Sequence, residues 1–119
     1  MKQEIQLGVI EAKFAELIWE REPVTTSELV KLAKQDFCWK RTTTHTVVRR
    51  LCDKGLFENR GGMVTSLISR SRFYSMQSRK FVDTAFDGSL PAFLAAFTAD
   101  HALTPEEAEE IRQMIEEAR

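Results

Sequence analysis

The chain has 119 residues, enough for one domain or two small ones, and its 43 % hydrophobic and 29 % charged residues are the balance of a globular protein. No apolar run approaches the ~20 residues that a membrane span needs, and Met1-Lys2-Gln3-Glu4 is not followed by a long apolar stretch, so no secretory signal and a cytoplasmic location are expected. The formal net charge of −1 is unevenly spread: residues 1–35 carry −1, residues 36–80 carry +7 from ten Lys and Arg against three acidic residues, and residues 81–119 carry −7. A localised basic stretch of this size suits a polyanion, whereas the acidic third suits solvent or a partner subunit.

Residues 7–21 read as a helix, with Ile10, Phe14, Leu17 and Ile18 on one stripe, Glu11, Lys13, Glu16 and Glu20 opposite, and Pro23 as the stop. A second helix starts near Thr25, where Thr25 and Glu28 make a capping box flanked by Val24 and Leu29 as a staple. Its apolar face is Leu29, Val30, Leu32 and Ala33, and the pattern fades after Lys34. The third helix runs from Lys40 to Lys54 and stops at Gly55. Val47, Val48 and Leu51 form its apolar side, with Thr44 one turn earlier; Thr42, His45, Thr46 and Arg49 form the other, flanked by Thr43 and Arg50. Three consecutive threonines are poor helix interior, which points to another use for short hydroxyl side chains on the exposed face.

After Gly55 the period changes to that of a hairpin, Leu56–Asn59 and Met63–Ile68 around a basic turn, Arg60-Gly61-Gly62. Ser69 caps a fourth helix to about Phe86 carrying Phe73, Met76, Phe81, Val82 and Ala85. Asp87-Gly88-Ser89 is a break, Leu90–Thr98 a fifth helix with Pro91 in its first turn, and Thr104-Pro105-Glu106-Glu107 a strong start for a sixth, striped with Ala108, Ile111, Ile115 and Ala118. No internal repeat or low-complexity tract interrupts this order.

The pattern predicts a mainly α fold: a winged helix-turn-helix of three helices and a small β-hairpin wing over residues 1–68, then a three-helix dimerisation region over residues 69–119. On the third helix, short threonines let the backbone approach base edges, a Thr methyl can touch a thymine methyl, and its hydroxyl can bond either way. Thr42, Thr43, His45 and Thr46 are the candidate base readers, and Lys40, Arg41, Arg49, Arg50 and, on the wing, Arg60 are the candidate phosphate contacts on double-stranded DNA. Trp39 reads first as a core or hinge aromatic and second as an indole donor to a phosphate. Phe73, Phe81, Phe86, Phe93 and Phe97 exceed what one small winged helix can bury, so with Ile111 and Ile115 they are the candidate contacts of a homodimer.

Enzyme classes are disfavoured: there is no GxSxG, HExxH, P-loop or GxGxxG pattern, and the terminal carboxylates sit near a helix start. Cys38 and Cys52 lie 14 apart without a CxxC or a nearby histidine pair, so neither a disulfide framework nor a metal site is expected, and no cofactor. His101 lies in an acidic linker with no functional partner in the sequence. The remaining alternative is a winged-helix protein–protein module that turns its basic face to an acidic partner.

Several blocks carry a resemblance: Leu17-Ile18-Trp19, Trp39 through Gly55, Ser69-Arg70 through Phe81, Phe86 through Leu90, Ala95-Ala96-Phe97, and Leu103-Thr104-Pro105-Glu106-Glu107. Together these make the chain similar, over nearly its whole length, to the penicillinase-repressor family of winged-helix regulators. The resemblance implies a homodimeric repressor whose winged helices bind a dyad operator and whose C-terminal helices interlock. It also implies a membrane-bound sensor protease as partner, with cleavage in the fifth helix at the Ala96–Phe97 bond and loss of dimerisation. The copper-responsive branch carries a Cys-x-Cys pair near its C-terminus, whereas here no cysteine follows Cys52. The wing also departs from the family pattern: a Gly-Arg-aromatic stretch is common on the return strand, and this chain has Gly61-Gly62-Met63-Val64.

Overall fold

The apolar stripe of the first helix is the nucleus around which the N-terminal elements close. The computed structural model describes residues 5–118, and the chain divides after Ser75 into two compact units. In order, the elements are α1 (Val9–Arg21), β1 (Val24–Thr25), α2 (Thr26–Phe37), α3 (Arg41–Asp53), β2 (Phe57–Arg60), β3 (Met63–Ser66), α4 (Arg70–Ala85), α5 (Leu90–Ala99) and α6 (Pro105–Ala118). This is the predicted mainly helical, winged helix-turn-helix architecture.

In the first unit, Phe14, Ile18, Leu29, Leu51, Leu56, Phe57 and Val64 are fully buried, drawn from α1, α2, α3 and the wing. Each such side chain contributes on the order of 1.5–3 kcal/mol by leaving water. The stripe on α1 is buried only from Phe14 onward: Ile10, expected to join it, is 50 % exposed in the first turn. Thr25 caps α2 as expected, its hydroxyl accepting from the Glu28 N–H at 3.1 Å. The helix does not fade at Lys34 but continues to Phe37, because the Phe37 ring packs against Phe14 and Trp39 with centroids 6.4 and 5.0 Å apart. Cys38 then takes the left-handed conformation (φ 57°), with its N–H donating to Lys34 O at 3.1 Å and that of Trp39 to Ala33 O at 3.3 Å.

The wing is three-stranded rather than a simple hairpin. The strand order is β1-β3-β2, all antiparallel, with Val24 opposite Val64 and Thr25 opposite Met63. β2 pairs with β3 from Phe57–Ser66 to Arg60–Met63. The two-residue turn between them needs positive φ at both central positions, which Gly61 (57°) and Gly62 (93°) supply. Gly62 O accepts from the Thr26 N–H at 2.8 Å, so the wing tip is tied to the start of α2.

Trp19 joins α1 to the wing and to the start of α4. Its indole N–H donates to Ile68 O at 3.0 Å, and its ring lies 5.3 Å from Phe57 and 5.6 Å from Phe73. Ser69 caps α4, accepting from the Arg72 N–H at 3.2 Å. Glu16 then holds the first turn of α4: Arg70 Nε donates to its carboxylate at 2.6 and 2.9 Å, and the Tyr74 hydroxyl donates to it as well. These bonds keep the Glu16 carboxyl below the usual carboxylate range and raise the Tyr74 phenol.

The second unit has the expected caps. Ser89 accepts from the Ala92 N–H at 3.1 Å, and Thr104 and Glu107 make a reciprocal capping box at 3.1 and 3.0 Å. Here four aromatic rings form a chain of tilted and edge contacts: Phe81–Phe86 at 6.0 Å, Phe86–Phe93 at 5.6 Å and Phe93–Phe97 at 6.0 Å. Neither α5 nor α6 has a fully buried residue. No helix among the described residues is long and apolar enough to cross a membrane.

Candidate nucleic-acid interface

α3 is sorted into two faces by its own period. Thr44, Val47, Val48 and Leu51 are buried, while Thr42, Thr43, Thr46, Arg49 and Arg50 are exposed and His45 is half-buried. Of the four threonines on α3, Thr44 therefore belongs to the core, and Thr42, Thr43 and Thr46 to the surface. Thr44, 1 % exposed, donates its hydroxyl to Lys40 O at 3.3 Å. Thr46 donates to Thr42 O at 2.9 Å, which leaves its outward lone pairs as acceptors and its methyl free. In this rotamer Thr46 is suited to accept from an adenine or cytosine amino group.

The start of α3 is electropositive in two ways. Lys40 is the N-cap and makes no side-chain capping bond, so the first amides of the helix have no such partner. Lys40 and Arg41 are themselves exposed there, and Arg49 and Arg50 are exposed two turns on. Among the described residues none of these four forms an ion pair. Other cations of the basic stretch are committed within the fold. Lys54 Nζ donates to Gln6 O and to Glu11 Oε1, both at 2.8 Å, which fastens the end of α3 to the chain before α1. Lys54 is the main cause of the depressed Glu11 carboxyl, with the Gly8 N–H next and the charge of Arg50 a smaller contributor. Arg70 is held by Glu16. Arg60 stands at the wing tip, exposed, with Nε 3.1 Å from Glu58; a surface ion pair of this kind is worth about 0–1 kcal/mol and yields readily to a phosphate.

Trp39 is half-buried, its ring 5.1 Å from Phe14 and 5.0 Å from Phe37. It is thus a wall of the core that also borders the start of α3. Of the aromatic residues expected at a subunit interface, Phe73 is spent within the chain, 3 % exposed against Trp19. Phe81 and Phe97 are each 54 % exposed, Phe86, Phe93 and Ile111 are half-buried, and Ile115 is 51 % exposed. Ala96 and Phe97 lie inside α5 on exposed positions.

Residues that position the interface were missed from the sequence. Glu22 accepts from the Ser66 N–H and hydroxyl at 2.8 Å each, pinning β3 to the end of α1. Lys54 and Trp19 act in the same way. Their partners lie more than 40 residues away, so no local pattern marks them.

The family model described as Penicillinase repressor matches residues 7–117. A relative, the Penicillinase repressor of Bacillus licheniformis, is 27 % identical over 121 residues, which cover 98 % of this chain and 94 % of that protein. With a winged helix-turn-helix fold, an exposed basic helix face and a family match over residues 7–117, the chain belongs to the penicillinase repressor family of transcriptional repressors.

Proposed function

We propose that the protein is a homodimer that represses transcription by placing two α3 helices in successive major grooves of a dyad operator. Thr42, Thr43, His45 and Thr46 read base edges, while Lys40, Arg41, Arg49, Arg50 and Arg60 hold phosphates and fix the register. Trp39 sets the entry of α3 by its packing on Phe14 and Phe37. The observation that carries this reading is the two-faced α3, with Thr42, Thr43, Thr46, Arg41, Arg49 and Arg50 exposed away from the core and Lys40 exposed at its N-cap.

The second unit supports self-association. Phe81 and Phe97 leave apolar area open to solvent beside the half-buried Phe86 and Phe93, and Ile115 on α6 is also exposed, with Ile111 half-buried; a second copy related by a two-fold axis would cover the same residues on both chains. Relief of repression would follow from a membrane-bound sensor protease cutting the Ala96–Phe97 bond, which separates α6 from the rest of the apolar surface. The bond lies inside a helix, so the cut requires local opening.

The experiment is selection of a binding site from a random duplex library, followed by anisotropy titrations on the selected and a scrambled duplex over a range of salt. A repressor of this kind prefers the selected duplex, and Arg50→Ala weakens both while lowering the salt slope by about one. A library that yields no sequence preference refutes the reading.

A further inference from the structure

The end of α2 and the start of α3 border a depression of about 530 Å³, lined by Val30, Lys34, Cys38, Trp39, Lys40 and Arg41. Its lining is of two kinds. Val30 and Trp39 make an apolar wall, and Trp39 is kept in place by Phe14 and Phe37 on its other contacts. Lys34, Lys40 and Arg41 are exposed cations around that wall, and among the described residues no acidic one lines the depression. The left-handed turn at Cys38 brings the two helix ends together, closed by the Cys38 and Trp39 N–H bonds back to Lys34 and Ala33. A volume of this order falls within the range of small-molecule sites. A flat aromatic wall bordered by cations suits a planar apolar body that carries an anionic group.

We propose that this depression is an effector site for a small aromatic anion. The ring of the ligand lies against Trp39 and Val30, and its charged group meets Lys34 with Lys40 or Arg41. Occupancy withdraws Lys40 and Arg41 from DNA phosphates, so ligand and operator compete. The competition rests on the DNA-reading function proposed above; the binding itself does not.

The probes are naphthalene-2-carboxylate and its uncharged amide, titrated into the full chain and followed by amide and indole NMR shifts. The carboxylate should shift the Trp39 indole and the backbone amides of residues 30–41 saturably, with the amide at least about tenfold weaker. Lys34→Gln should weaken the carboxylate about tenfold and leave the amide unchanged. Adding the carboxylate to the operator complex should lower the anisotropy, and more so at low DNA concentration. Absence of saturable shifts at millimolar carboxylate, equal binding of acid and amide, or indifference to Lys34→Gln would each overturn the site. Shifts at these residues without displacement of bound operator would overturn the effector role. Because the NMR titration contains no DNA, its result is independent of whether the chain reads an operator.

Discussion

Thr44 and Thr46 lie two residues apart on α3 and face opposite ways, so truncating each one separates folding from DNA reading. Thr44→Ala removes a buried methyl, worth about 0.8 kcal/mol plus the cavity it leaves, and the hydroxyl bond to Lys40 O at 3.3 Å, worth about 0.5–1.5 kcal/mol. Together, less the gain of about 0.5 kcal/mol in helix propensity that Ala brings, these lower the unfolding free energy by about 1–2 kcal/mol. Thr46 is exposed and its hydroxyl bonds only within its own helix. Thr46→Ala trades a β-branched residue for the best helix former, a gain of about 0.5 kcal/mol that offsets the lost bond. On the selected operator the same change should cost about 1–3 kcal/mol, or about 5- to 150-fold, with little effect on random duplex. Urea unfolding followed by circular dichroism gives the first quantity, and anisotropy at fixed salt gives the second. Equal losses on operator and random duplex for Thr46→Ala, or a Thr46→Ala protein as unstable as Thr44→Ala, would refute the assignment of the two faces.

Phe97→Asp, on an exposed site of α5, should shift sedimentation from dimer to monomer, since each copy loses an apolar contact of about 1.5–3 kcal/mol and the two-fold axis counts it twice; an unchanged dimer would place the interface elsewhere. Glu11 and Glu16 have folded-state pKa values depressed below 4.5, chiefly by Lys54 and Arg70. Their contribution is present above the unfolded value and is lost as pH falls through the folded one, so stability should drop on acidification below 4.5, and Glu11→Gln should flatten that drop in urea melts taken from pH 6 downward. Trp19→Phe keeps the ring stack but removes the donor to Ile68 O, and should cost about 1–2 kcal/mol in the same melts.

Much of the fold was legible because it is written in local patterns. The Thr104 capping box, the Gly61-Gly62 turn and the stop at Gly55 each depend on residues within one turn of one another, and each is where the sequence placed it. The faces of α3 were legible for the same reason, since Thr44, Val47, Val48 and Leu51 recur at helical spacing. What escaped depends on partners far along the chain. β1 is only Val24 and Thr25, too short for any period, and exists because β3 pairs with it. The last turn of α2 carries Gln35 and Asp36, which show no apolar rhythm, and is held by Phe37 stacking on Phe14 and Trp39. Phe73 looks from the sequence like its neighbours on α4, but its position one turn into the helix brings it against Trp19, 54 residues earlier.

Two α3 helices related by a two-fold axis can engage both half-sites only when these lie on one face of the duplex, about one helical turn apart. The direct measurement is the affinity of the intact chain for the selected dyad, for the same dyad with about 5 bp inserted at its centre, and for an isolated half-site. A dyad-reading dimer binds the first tightly and the other two alike, weaker by about 100-fold or more once the second contact is no longer intramolecular. Equal affinity for all three duplexes would contradict it.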